Sequence, residues 1–251
     1  MRTFVISDAH GCPEVILNAF RHGGFDPGRD AFVFAGDAVD RGPDAEGCLR
    51  LVERYATEVL LGNHDLAALF GFHVFPQNPE SLSFRPLLLE RALSGQWKAA
   101  TSVEGVLVTH AGVSKDYERM FEDECASDPA RLAERFNATF RALVEWRDTL
   151  HRWYDDALLG DCGPFWFRPR PYSDLLPLLS CVQIAGHTVP LTRMEGTPFH
   201  MIDPTPADGG EDPRRYRYAL VEQGTVVVRD GRLGEREGRL PGSPWSDEEC
   251  A

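Results

Sequence analysis

The 251 residues carry a net charge of −13 and 43% hydrophobic residues, enough to build one large domain or a tight pair. That acidic balance argues against a nonspecific binder of nucleic-acid polymers, which needs a broad basic face, and leaves room for a small anionic substrate. No window approaches the roughly 18 consecutive apolar residues of a spanning helix, so no membrane partner is expected.

The opening run Met1–Ile6 ends at Ser7-Asp8, too short for the apolar region of a secretory signal. The six cysteines, Cys12, Cys48, Cys125, Cys162, Cys181 and Cys250, form no Cys-x-x-Cys pair and are expected as reduced thiols in a cytoplasmic protein. Thr3 to Ile6 reads as a buried strand, followed by a short helix around Val15 to Phe20 that Gly23-Gly24 stops. Ala31 to Ala35 reads as a second strand. Pro43 and Asp44 open a helix with Leu49, Val52 and Tyr55 at helical spacing, and Glu58 to Leu61 is a third strand. Apolar strands alternating with helices predict a parallel sheet with functional groups at the carboxyl ends of its strands.

From Phe72 to Ala100 the pattern loosens around Pro76, Pro79 and Pro86 and reads as a lid or insertion, before a strand from Val103 to Thr109. Asp128-Pro129 opens a long helix with the stripe Leu132, Phe136, Phe140, Leu143, Leu150 and Tyr154. Pro164 to Pro171 is too rich in proline for regular structure. Cys181 to Ala185 resumes the sheet. Strands are expected at Phe199 to Ile202, Tyr216 to Glu222 and Thr225 to Arg229, with Gln223-Gly224 as a hairpin turn and antiparallel pairing in this region. The expected organisation is one domain over 1–230, with lid-like insertions near 72–102 and 113–180, and a flexible tail over 231–251.

Five polar clusters follow the apolar runs: Ser7-Asp8-Ala9-His10-Gly11, Gly36-Asp37-Ala38-Val39-Asp40-Arg41-Gly42, Gly62-Asn63-His64-Asp65, His110-Ala111-Gly112 and Gly186-His187-Thr188. Asp, Asn and His are ligands for divalent metals, and placement at strand ends lets them converge. Asp8 and His10 are two apart and can leave the chain on one side. The two oxygens of Asp37 suit it to bridge two cations. Singly, each cluster has an ordinary alternative: a polar turn for Asp8 and His10, a capping or core histidine for His187, a surface ion pair for Arg41, a turn residue for Asp40. As an ordered set they point to metal chemistry.

The set SDAHG, GDAVDRG, GNHD, HAG and GHT, spanning residues 7 to 188, resembles the phosphoprotein-phosphatase branch of the calcineurin-like metallophosphoesterases. The resemblance implies a four-layer α-β-β-α sandwich of two mixed sheets flanked by helices. It implies two divalent cations, Mn first with Fe, Zn or Co tolerated. One would be held by Asp8, His10 and Asp37, the other by Asp37, Asn63, His110 and His187. It further implies His64 as general acid oriented by Asp40, and Arg41 as a phosphate clamp. A second phosphate-binding arginine is sought between the fourth and fifth motifs, where Arg168 and Arg170 are the candidates and Arg168 is favoured. Ser7 stands where the family carries glycine.

These residues suit in-line attack on phosphorus by a bridging hydroxide that two cations activate, with His64 protonating the leaving oxygen. HAG and GHT look like bacterial members, among them diadenosine tetraphosphatases and small protein phosphatases. The expected substrate is therefore a dinucleoside polyphosphate or a phosphoprotein, and Trp97, Trp166 and Phe167 as base-stacking groups tilt toward the nucleotide. A metal-binding scaffold without turnover would be expected to lack a ligand or the general acid. A nuclease on a related fold would be expected to carry a basic stripe.

Overall fold

A computed structural model describes residues 1–72, 77–120, 127–147, 157–170, 172–191, 194–205 and 214–233. In strand β1 (Thr3–Ile6) successive side chains point to opposite faces. Phe4 and Ile6 join the helix-side core, while Val5 joins a second core. Strand β2 (Ala31–Ala35) repeats this, with Phe32 and Phe34 on the helix side and Val33 and Ala35 on the other. Both strands are buried on both faces, which is why their sequences are continuously apolar rather than alternating.

Helix α1 (Pro13–Gly23) ends at Gly24, whose φ of 61° closes it in the left-handed conformation. Helix α2 (Ala45–Tyr55) is capped by Asp44, whose side chain accepts from the Gly47 N–H. Strand β3 (Glu58–Leu60) leads directly into α3 (Asn63–Phe70), a helix the sequence reading did not anticipate. The stretch expected as a loose insertion carries α4 (Arg85–Leu93) and two short strands, β4 (Trp97–Lys98) and β5 (Ala100–Val103). Residues 73–76 of that stretch lie outside the described residues. The strand expected from Val103 to Thr109 is a hairpin: β5 turns at Glu104-Gly105, both at positive φ, into β6 (Val106–Thr109).

Helix α5 (Pro129–Glu145), capped by Asp128, buries Leu132, Phe136, Phe140 and Leu143. The expected continuation through Leu150 and Tyr154 lies outside the described residues. The remaining strands are β7 (Val182–Ala185), β8 (Phe199–Met201), β9 (Arg215–Glu222) and β10 (Thr225–Arg232). Strand β10 reaches Arg232, inside the expected tail, and 234–251 fall outside the described residues.

Two mixed sheets result, ordered β10-β9-β1-β2-β3-β4 and β5-β6-β7-β8. Strands β1 to β4 are parallel, while β9 and β10 run antiparallel, joined at Gln223-Gly224. β8, placed by sequence in an antiparallel region, instead pairs parallel with β7. Val5, Val33, Ala35 and Leu60 of the first sheet and Val106, Val108 and Ile184 of the second form one cluster, the core between the sheets. Helices pack outside, α1 on β9 and α5 on β5 and β6, giving the expected α-β-β-α layering. The chain crosses between sheets at Ala99. There Asn137 of α5 accepts from the Ala99 and Ala100 N–H groups and donates to the Ala100 carbonyl. No helix among the described residues is long and apolar enough to cross a membrane.

Candidate metal centre

All the candidate ligands leave the chain where strands end. Asp8 and His10 follow β1, Asp37 follows β2, Asn63 opens α3 after β3, His110 follows β6 and His187 follows β7. The turns are sharp: Asp8, His10, Asp37, Asp40, Arg41 and His187 all have φ between 46° and 73°. They are six of the eight non-glycine residues at positive φ among the described residues. Such backbone costs about 1–3 kcal/mol per residue and persists only where the surroundings over-determine it. Here Asp8 N–H donates to Gly36 O (2.9 Å), His10 N–H to Asp37 O (2.8 Å) and Gly11 N–H to Ala38 O (2.9 Å). His187 N–H lies 3.0 Å from each oxygen of the Asp8 carboxylate. A β-carbon at Gly62 would collide with the Asp37 carboxylate, and one at Gly186 with that of Asp8.

The six side chains converge. Asp37 Oδ2 lies 3.5 Å from His10 Nε2 and 3.4 Å from His110 Nε2, and His10 Nε2 is 4.0 Å from Asp8 Oδ1. His110 Nε2 is 3.0 Å from Asn63 Oδ1. The His187 ring lies 5.1 Å from that of His110 between centroids, and its buried Nε2 has no hydrogen-bond partner. His10 Nδ1 faces Val39 O at 3.2 Å and His110 Nδ1 faces Ala35 O at 3.0 Å. A carbonyl only accepts, so both protons sit on Nδ1 and both Nε2 lone pairs point into the centre, the arrangement second-shell contacts impose on metal-binding imidazoles. The His110 lone pair then faces the Asn63 oxygen with no proton between them. Two acceptors at that distance call for a cation, and ligands each about 2.1 Å from one ion sit roughly 3.0–3.5 Å apart. The residues present therefore fit a pair of divalent cations.

The electrostatics agree. Burial raises the Asp37 carboxyl, but the imidazoles of His110, His64, His10 and His187 outweigh it and hold it below the usual carboxylate range. Burial raises Asp8, and the nearby carboxylates of Asp203 and Asp37 raise it further. Burial pushes His10 down to about 3 and lowers His110; burial and Arg168 take His187 well below the ordinary imidazole value. Neutral imidazole is the form that ligates.

His64 is also within reach of the His10 and Asp37 ligand atoms, yet both its nitrogens are engaged. Nδ1 lies 2.8 Å from Asp40 Oδ2, and Nε2 accepts from the Arg41 guanidinium at 3.2 Å. Asp40 Oδ1 in turn accepts from the Asn78 N–H at 3.2 Å. Arg168 donates to His187 O at 3.0 Å, while Arg170 turns away to Asp174 O. Of the aromatics offered for base stacking, Trp97 and Phe167 are buried in the cores. Trp166 alone is half-buried beside the site, its ring 5.8 Å from that of His187. Ser7, the departure from glycine, donates its hydroxyl to Asp8 Oδ2 at 2.5 Å.

Two buried acids were not singled out from sequence. Asp203 follows β8 much as Asp8 follows β1, and burial raises its carboxyl. Asp65, the fourth residue of its cluster, accepts four backbone N–H groups, and burial with the charge of Asp37 pushes it up to about 7. Cys48, Cys162 and Cys181 are free thiols; Cys125 and Cys250 lie outside the described residues.

Two back-to-back mixed sheets thus gather carboxylates and imidazoles at their strand ends into one candidate metal centre. The chain belongs to the calcineurin-like phosphoesterase family, matched over residues 1–190. A symmetrical bis(5'-nucleosyl)-tetraphosphatase of Enterobacter sp. (strain 638) is 33% identical over 163 residues, covering 61% of this chain and 58% of that protein. The chain thus spans less than two thirds of the length of the curated relatives it matches. A cold-active protein-tyrosine phosphatase of a psychrophilic Shewanella shares the fold with a TM-score of 0.63 at 16% identity, over 93% of this chain and 80% of that one. A structure described as a putative diadenosine tetraphosphatase shares it with a TM-score of 0.52 at 21% identity, over 93% and 95%.

Proposed function

We propose that the protein is a hydrolase that cleaves a phosphate ester or anhydride with two divalent cations. Asp8, His10 and Asp37 would hold one and Asp37, Asn63, His110 and His187 the other, with Mn the expected metal and Fe, Zn or Co tolerated. The observation carrying this reading is the single oxygen Asp37 Oδ2 set 3.5 Å and 3.4 Å from the inward-facing Nε2 atoms of His10 and His110. When bound, the cation pair supplies an activated water and offsets the charge on the phosphoryl oxygens.

The remaining steps belong to side chains of this chain. His64, held through Nδ1–H by Asp40, acts as the imidazolium and gives its Nε2 proton to the leaving oxygen, with Arg41 turned from that nitrogen to a phosphate oxygen. Arg41, already beside that nitrogen, and Arg168, anchored on the His187 carbonyl, take phosphate oxygens from two sides. The substrate is a dinucleoside polyphosphate handled in the cytoplasm. Support comes from the name of the 33%-identical relative and from Trp166, an indole placed to stack a base. The test is a side-by-side assay of Mn-loaded protein on diadenosine tetraphosphate, a phosphopeptide and an aryl phosphate. Highest kcat/KM on the dinucleotide is expected. Preference for the phosphopeptide would move the substrate to phosphoproteins, and no turnover of any compound by metal-loaded protein would overturn the reading.

A further inference from the structure

We propose that Asp65 is a positioning residue that sets the separation of the two loops carrying the bridging carboxylate and the Asn63 ligand, so that affinity for the cation pair depends on an acid that touches neither cation. The inference rests on the two-cation reading above. Asp65 sits in the first turn of α3 and is 1% exposed. Its Oδ2 accepts from Asp37 N–H at 2.7 Å and Gly62 N–H at 2.9 Å, and its Oδ1 from Ala38 N–H at 3.0 Å and Val39 N–H at 3.3 Å.

Four donors occupy the roughly four lone-pair positions of a carboxylate and leave none for a metal. Three of the donors belong to the loop after β2, which carries Asp37, Asp40 and Arg41; the fourth precedes Asn63 and His64. One side chain therefore ties together five residues of the site. The grip falls on backbone that resists its shape, since Asp37 has φ of 61°. It continues through Asp37, whose Oδ1 accepts from His64 N–H at 2.9 Å, leaving Oδ2 to face the imidazoles.

An amide at position 65 keeps one accepting oxygen and turns an NH₂ group against N–H donors, so part of the grip is lost. Loss of an outer contact of this kind typically weakens metal binding about 10- to 100-fold. The test is Mn titration of the full chain, followed by equilibrium binding and by the paramagnetic resonance signature of a coupled Mn pair. Wild type, Asp65→Asn and Val52→Ala, a core truncation on α2, are compared. Asp65→Asn is expected to lose at least about tenfold in affinity together with the coupled signal, while Val52→Ala lowers the melting temperature and keeps both.

Wild-type affinity and coupling in Asp65→Asn would overturn the proposal, as would an equal loss in Val52→Ala. Should Asp65→Asn not fold, Asp65→Glu and Asp65→Gln decide: the acid is expected to keep affinity and coupling and the amide to lose both, and equal binding by the two overturns the proposal. A wild-type protein that binds no Mn, Fe, Zn or Co pair would instead bring down the two-cation reading itself.

Discussion

At the scale of single residues, Asp37 bears the most. Its Oδ2 faces two imidazoles, its Oδ1 holds the His64 N–H and its own backbone is strained. Asp37→Ala is expected to lose both cations and all turnover, checked by elemental analysis of the purified variant; a normal metal content would remove the bridging role. His64 separates from metal binding, because Asp40 and Arg41 engage its two nitrogens. His64→Asn should therefore keep its metals and slow turnover by roughly 10² to 10⁴. The loss should be greatest for poor leaving groups, so a leaving-group dependence like that of wild type would count against the acid role. The candidate ligands could be picked out in sequence because each sits in a short polar cluster that contains glycine and follows an apolar run. Asp65 and Asp203 were not, because their environments come from backbone N–H groups and distant charges that leave no pattern in the chain. Arg168 was favoured over Arg170 from sequence, and the fold turns the first to the His187 carbonyl and the second to the Asp174 carbonyl.

At the scale of elements, the buried parallel strands were legible because continuous β-branched and aromatic runs between turn residues have few other uses. Elements between Asn63 and Thr109 were not. Helix α3 starts inside a candidate ligand cluster at Gly62, which has no capping side chain, and its one start signal, Asp65 accepting from the Gly62 N–H, lies among residues read as ligands. The β5–β6 hairpin turns on Glu104-Gly105 rather than the Asn-Gly or Asp-Gly pairs that usually announce such turns. Trp97, offered from sequence as a base-stacking group, instead lies in the core, where β4 pairs with β3. The join between sheets rests on Asn137, which satisfies two N–H groups and one carbonyl of fully buried Ala99 and Ala100. Asn137→Ala strands those groups at about 1–3 kcal/mol apiece. A clearly lowered denaturation midpoint with unchanged metal content is expected. Unaltered stability would mean the crossing holds without its clamp.

Across the whole molecule, the two-cation reading has fold and site opposing each other until cations bind. Asp8, Asp37, Asp65 and Asp203 are buried carboxyls close enough to influence one another, and six site residues hold left-handed backbone. The long-range sheet pairings around them keep that arrangement in place, which is why the strain is tolerated, but the like charges are left for the metals to offset. A ligand that binds only the folded state at 100 times its Kd adds about 2.7 kcal/mol. For a chain of this size each kcal/mol moves the melting temperature by roughly 2–4 °C. Chelation should therefore lower the melting temperature by about 5–10 °C, and Mn should restore it. Asp37→Ala should melt at the same temperature with and without Mn, since it has no centre to fill. Equal melting temperatures for metal-loaded and chelated wild type would show that the site is neither strained by its own charges nor relieved by cations, and the convergence of carboxylates would need another cause.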